Sequence, residues 1–205
     1  MLSRRTFSST LLLPALAVGV TQTHAATVGQ AAPDFSALDA LGKSHKLSDF
    51  KGKHVVLEWT NPGCPFVVKH YGGNMQALQK EFTAKGVVWL SVNSTNKDAS
   101  DYLAPAKLMA WTVEKKAAAS AVLMDESGKI GQLYSARTTP HMYIINPKGV
   151  LVYAGAIDSV PSARVDDIKT ATNYVRQGLN ETLGGKPISV ASTRAYGCSV
   201  KYKDA

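Results

Sequence analysis

The chain is poor in cysteine: Cys64 and Cys198 are the only two in 205 residues. Neither has a second cysteine three positions away, which excludes a closely spaced dithiol loop and the paired-cysteine zinc motifs. Long hydrophobic runs are also missing. The apolar stretch Leu11 to Val20 falls short of the roughly 20 residues that span a bilayer. Acidic residues are outnumbered, 15 against 23 basic ones, for a formal charge of +8. The excess is scattered through Lys51/Lys53, Lys115/Lys116 and Lys201/Lys203, with no dense basic run carrying interleaved aromatics. That pattern describes a solvated surface and argues against a nucleic-acid partner. There are no internal repeats and no second composition regime, so one domain is expected.

What is present begins with a targeting pattern. Arg4 and Arg5 precede the apolar stretch, and Thr23-His24-Ala25 supplies a small-residue exit, as in a secretory signal. Ser3-Arg4-Arg5-Thr6-Phe7 is also similar to a twin-arginine export signal, although Ser8 stands where leucine is preferred. Residues 1–25 are therefore expected to be removed, leaving 26–205 as a soluble periplasmic or otherwise exported domain. That domain has 180 residues and a charge of +6, because the removed segment carries two arginines and no acids. An exported setting allows the two cysteines to pair. The bridge would close a loop of over a hundred residues. If purely structural it would contribute about 4–5 kcal/mol.

The stretch around Cys64 carries the chemistry. Val55 to Leu57 reads as a buried strand, Asn61-Pro62-Gly63 as a turn, and Pro65 as the first residue of a helix. Cys64 then falls at the helix N-cap, facing unpaired backbone N–H groups and the positive end of the helix dipole. Both favour thiolate over thiol and lower the pKa.

The pattern elsewhere alternates. An extended lead-in at 26–36 and a turn at 39–43 between two short strands precede the Cys64 strand. Gly72-Gly73 interrupts the Cys64 helix, which resumes with Met75, Leu78 and Phe82 on one face. Val87–Val92 and Ala121–Met124 read as strands, residues 101–119 as a helix broken by Pro105, and Lys129–Tyr134 as a short helix. His141–Ile145, the turn Asn146-Pro147-Lys148-Gly149 and Val150–Ala154 form a hairpin. Asp166–Leu183 places Ile168, Ala171, Val175 and Leu179 on one helical face, and a short polar tail carries Cys198. Alternation first and a hairpin late predict an α/β domain whose mixed central sheet is flanked by helices.

Cys64-Pro65 at a helix start, Thr139-Pro140 before a strand, and the Asn146–Gly149 hairpin together resemble the thioredoxin-like fold. Val28–Phe35, Leu47–Lys53 and Asn61 followed by Cys64–His70 are similar to its redoxin branch, the alkyl hydroperoxide reductase/thiol-specific antioxidant family, in a peroxiredoxin-like subgroup. The resemblance covers nearly all of 26–205. It implies a thiol-dependent oxidoreductase with a cis Thr139–Pro140 bond packed against Cys64. It also implies a strand edge beside Pro140 for substrate, and a buried proton acceptor at Glu58. Two departures stand out. Val67 occupies the second position of a thioredoxin-type Cys-x-x-Cys. Asn61 and Leu57 stand where peroxiredoxins carry Thr/Ser and proline, which counts against efficient peroxide reduction.

A thiolate that attacks a disulfide or a peroxide needs a second thiol to reset it, and Cys198 is the internal candidate. The expected site is Cys64 and Cys198 as the catalytic pair, with Asn61, Pro65, Thr139, Pro140, His141 and Glu58 supporting and His70 near the thiolate. Thiols and disulfides, hydroperoxides as an alternative, and an external reductant are the expected partners, with no cofactor. A copper or zinc site built from Cys64, Cys198, His70 and His141 is a further alternative, as is a binding module without redox chemistry.

Overall fold

Two short strands, β1 (Ser36–Leu38) and β2 (Ser44–Lys46), form an antiparallel hairpin ahead of the main sheet in the computed structural model, which describes residues 25–203. The segment 1–25 read as an export signal lies, apart from Ala25, outside the described residues. The chain then runs through β3 (Val55–Trp59), α1 (Pro65–His70), α2 (Asn74–Thr83), β4 (Val88–Asn93), α3 (Pro105–Glu114) and β5 (Ala121–Met124). It continues through α4 (Lys129–Leu133), β6 (Thr138–Thr139), β7 (His141–Ile145), β8 (Leu151–Gly155), α5 (Tyr174–Leu183) and β9 (Cys198–Ser199). The central sheet has the order β5-β4-β3-β7-β8, with β3 parallel to β4 and antiparallel to β7. This is the mixed sheet that alternation followed by a hairpin requires, and it is a thioredoxin-like fold.

Every residue of β3 and β4 is buried. Helices cover one face, where Val67, Met75, Leu78, Phe82, Val175 and Leu179 pack on Val56, Trp89 and Ile144. The lead-in, the β1–β2 hairpin and α4 cover the other, packing on Leu57, Trp59, Leu90 and Tyr143. Alternate residues of one strand therefore serve two separate cores.

Two helix boundaries differ from the sequence pattern. Pro105 does not break a helix across 101–119; it starts one, at the position where its missing N–H costs nothing. Asp166–Leu183 is not continuous. A 3₁₀ turn at Val165–Lys169 stops, and α5 begins after Asn173, whose side chain caps it by accepting from Arg176 N at 2.9 Å. The intervening backbone bonds to residues 157–159 instead, through Ser159 N to Thr172 O and Tyr174 N to Ile157 O. Val175 and Leu179 are fully buried as expected, while Ile168 and Ala171 are left outside the core. No helix among the described residues is long and apolar enough to cross a membrane.

Candidate active site

The turn after β3 is held by one side chain. Asn61 Oδ1 accepts from Gly63 N at 2.8 Å, its Nδ2 donates to Thr95 Oγ1 and Asp101 Oδ2, and its carbonyl accepts from Cys64 N. Pro65 then opens α1 with Cys64 as the N-cap. The Cys64 thiol is 2% exposed and donates to Thr139 O at 3.0 Å. Thr139 precedes Pro140 across a cis peptide bond.

The tail supplies the second thiol. β9 pairs antiparallel with β6, placing Cys198 opposite Thr139 and Ser199 opposite Thr138. The two cysteines are free thiols that meet over the Thr139 backbone. Gly197 has φ +134°, and any Cβ there would overlap the Thr139 carbonyl, so only glycine lets the tail come this close.

The two thiols are pushed in opposite directions. Burial raises Cys64, but the polar groups around its sulfur, the Cys198 thiol first and then the Thr139 side chain and the Val67 and Cys198 N–H groups, outweigh it and leave its pKa below the ordinary value. Val67 is the third helical residue, whose N–H lies on the side of the N-cap group, although the Cys64 sulfur makes no capping hydrogen bond to it. Cys198 is raised to about 12 by burial, by its hydrogen bond to Cys64 and by the charge Cys64 would carry. The pair thus divides into one thiol that ionises more readily than an ordinary cysteine and one that holds its proton more tightly.

Glu58 lies fully buried in β3 and accepts from Tyr71 Oη, Gln79 Nε2, Trp89 Nε1 and Ser91 Oγ, at 2.7 to 3.1 Å. Burial raises its pKa despite these four donors. Trp59, on the opposite face of β3, packs with Tyr134 and Tyr143 rather than around Cys64. His141 is not brought beside the thiolate either: its ring lies on Tyr143, with Nδ1 near Tyr143 Oη and Arg137 N. It shares Tyr143's face of β7, whereas Met142 points to the core containing Cys64.

His70 is instead tied into a cluster that the sequence did not reveal. Its Nε2 bonds Tyr196 Oη at 3.2 Å and its Nδ1 faces Asn74 Nδ2. Tyr196 also donates a short hydrogen bond to Asp158, and Asp158 pairs with the fully buried Lys69 at 3.5 Å. Lys69 carries no mark of burial in the sequence, and Asp158 lies in a loop without periodicity. The signal that could have been used is Tyr196, an aromatic two residues before a candidate redox cysteine. With both His70 nitrogens engaged and His141 across the sheet, the four residues of the copper or zinc alternative do not converge. No cluster of three or more His, Cys, Asp or Glu suited to a metal occurs among the described residues.

A thioredoxin-like fold carrying an activated cysteine at a helix start, against a cis-proline loop, defines the class: a thiol-dependent oxidoreductase of the redoxin type. Residues 28–154 match the model of the AhpC/TSA family. The chain belongs to that family. It is 32% identical over 123 residues to thioredoxin-like protein YneN of Bacillus subtilis (strain 168), a match covering 60% of this chain and 68% of the relative. Among solved structures, a hypothetical protein of Sinorhizobium meliloti 1021 superposes with a TM-score of 0.77 at 23% identity, over 89% of this chain and 98% of that one. The thioredoxin domain of a thiol-disulfide oxidoreductase of Bacteroides vulgatus gives 0.51 at 22% identity, over 70% and 96%. At these identities the structural matches speak for the fold.

Proposed function

We propose that the protein is an exported thiol–disulfide oxidoreductase in which Cys64 is the nucleophile and Cys198 the resolving thiol. The observation that carries this reading is Cys198 paired across from Thr139, the residue whose carbonyl receives the Cys64 thiol. The Cys64 thiolate attacks one sulfur of a substrate disulfide; that S–S bond breaks and the departing substrate thiolate takes a proton. Cys198 gives up its proton and attacks Cys64 in the mixed disulfide, releasing the second substrate thiol. Two electrons pass to the substrate, and the Cys64–Cys198 disulfide is reduced again by an external dithiol. Asn61, Pro65, Thr139 and Pro140 hold the nucleophile in place, and Glu58 is the buried proton acceptor behind it. The basic, apolar and small-residue succession of residues 1–25 supports export.

Hydroperoxide reduction through a sulfenic acid is the second reading, supported by membership of a family named for such chemistry. Against it, the Asn61 amide, at the position of the peroxide-binding hydroxyl, is engaged with Thr95 and Asp101. Dithiothreitol-driven reduction of a protein disulfide, run beside peroxide consumption, separates the two. The disulfide reaction is expected to be the faster and to fall by about a thousandfold or more in Cys64→Ser, since the second cysteine, Cys198, holds its proton up to about 12. Undiminished turnover of both substrates in Cys64→Ser would remove the enzyme reading.

A further inference from the structure

The edge of β6 beside Pro140 is already taken by the chain's own tail. The geometry points to residues 196–202, beyond the point where Ala191–Thr193 bond to β8, as an autoinhibitory strap, a built-in stand-in for a substrate strand that must leave β6 before a protein disulfide can reach Cys64. The proposal rests on the reading of Cys64 as the redox nucleophile and adds how access to it is governed.

Three observations converge. The first is steric: Cys64 is 2% exposed, although the turn that carries it reaches the surface at the half-buried Pro62 and the exposed Gly63. Gly197 and Cys198 run over the Thr139 carbonyl on which the Cys64 sulfur rests. A nucleophile so placed cannot be approached along the line of a disulfide bond while the strap is down.

The second is the form of the cover. The strap is extended, antiparallel to β6, and presents a cysteine at the position facing Cys64. Those are the features of a polypeptide segment added to a sheet edge, where main-chain bonds give affinity and the aligned side chain gives specificity. An incoming extended segment could replace those main-chain bonds while bringing its own sulfur to Cys64.

The third is how the strap is fastened. β6 and β9 are two residues each and form a sheet separate from the central one. The anchors are side chains on either side of β9. Tyr196 bonds Asp158 and His70 and packs edge-on against Phe66. Tyr202 donates to Ala136 O at 2.7 Å and lies on Gly128 and Gly131, where any Cβ would collide with its ring. Between these points Val200 N reaches Arg137 O, and the Lys201 carbonyl accepts from Asn96 N and Nδ2. A short strand held by two tyrosines, a few main-chain hydrogen bonds and the buried Val200 can open locally while the strands of the central sheet stay paired.

The test follows Cys64 alone. In the reduced full chain, iodoacetamide modification of the Cys64 peptide is timed by mass spectrometry and normalised to the thiolate fraction. Slow modification is expected for the unaltered protein. Tyr196→Phe removes a hydroxyl bonded to a buried carboxylate and should raise the rate about tenfold or more; Tyr202→Phe should act in the same direction. Rates equal to the unaltered protein's in both variants overturn the strap. Should either variant fold poorly, hydrogen exchange on the unaltered chain decides. The Val200 amide exchanging well ahead of the β3 and β7 amides supports the proposal, and equal protection overturns it. Neither readout uses disulfide turnover. A failed strap therefore leaves the oxidoreductase intact, and a failed oxidoreductase is recognised by its turnover, whatever the alkylation rates.

Discussion

Cys64 and Cys198 touch the same residue, yet the molecule treats them as different chemical groups. Cys64 is fixed by the helix it caps, between a fully buried strand and an apolar core, and its pKa is lowered. Cys198 sits on a two-residue strand hung between two tyrosines, and its pKa is raised to about 12. The rigid thiol is electronically prepared and sterically shut. The tethered thiol is kept protonated and lies on the segment that does the shutting. Reactivity and access are thus divided between two regions, and either can be altered without rebuilding the other.

The sharpest break in that comparison is ionisation. Thiolate absorbance against pH should show one step below the ordinary cysteine range and a second near 12. Cys64→Ser should remove the lower step and bring Cys198 down, because the hydrogen bond to Cys64 and its charge are part of what raises it. Two coincident steps would erase the distinction.

Next in size is the tail's fastening. Asp158→Ala leaves Lys69 buried without its carboxylate and should cost about 3–5 kcal/mol in urea unfolding, whereas replacing both partners with apolar residues of similar volume should cost far less. If the single variant unfolds like the parent, the ion pair does not hold the region together.

The smallest effect, for any single group, is on acid stability. His70 and His141 are each lowered from 6.5 to about 4, chiefly by burial. The unfolded chain therefore takes up these protons first. Stability should be complete above pH 6.5 and fall as the pH drops from 6.5 towards 4, by about 3 kcal/mol per histidine. His70→Gln should remove one of the two contributions, and an unchanged acid profile would place His70 in solvent.

Much of the site was legible because it is local. Val55–Leu57, the Asn61–Gly63 turn and Cys64-Pro65 specify a strand, a turn and a capped helix within a dozen residues, and local propensity agrees with the fold there. The central sheet was readable for the same reason. Side-chain placement across distance was not. His141 follows Pro140 and is expected in support of the site, but strand alternation turns it to the far face with Tyr143, while Met142 takes the near one. The break before α5 depended on backbone bonds to residues 157–159, which helical periodicity cannot register. Lys69, Asp158 and Tyr196 are separated by 89 and 38 positions and meet only after the tail has docked. The tail itself has a polar sequence without period, yet Gly197 and Tyr202 fit it closely to Thr139 and α4. Nonlocal fit of that kind leaves no pattern to read.

The redox pairing of Cys64 with Cys198 is tested most directly by titrating the fully reduced protein with a protein disulfide and mapping its cysteines. One intramolecular Cys64–Cys198 bond per chain, formed as two substrate thiols are released, is the predicted result. Substrate thiols released while Cys198 stays free and alkylatable would contradict it.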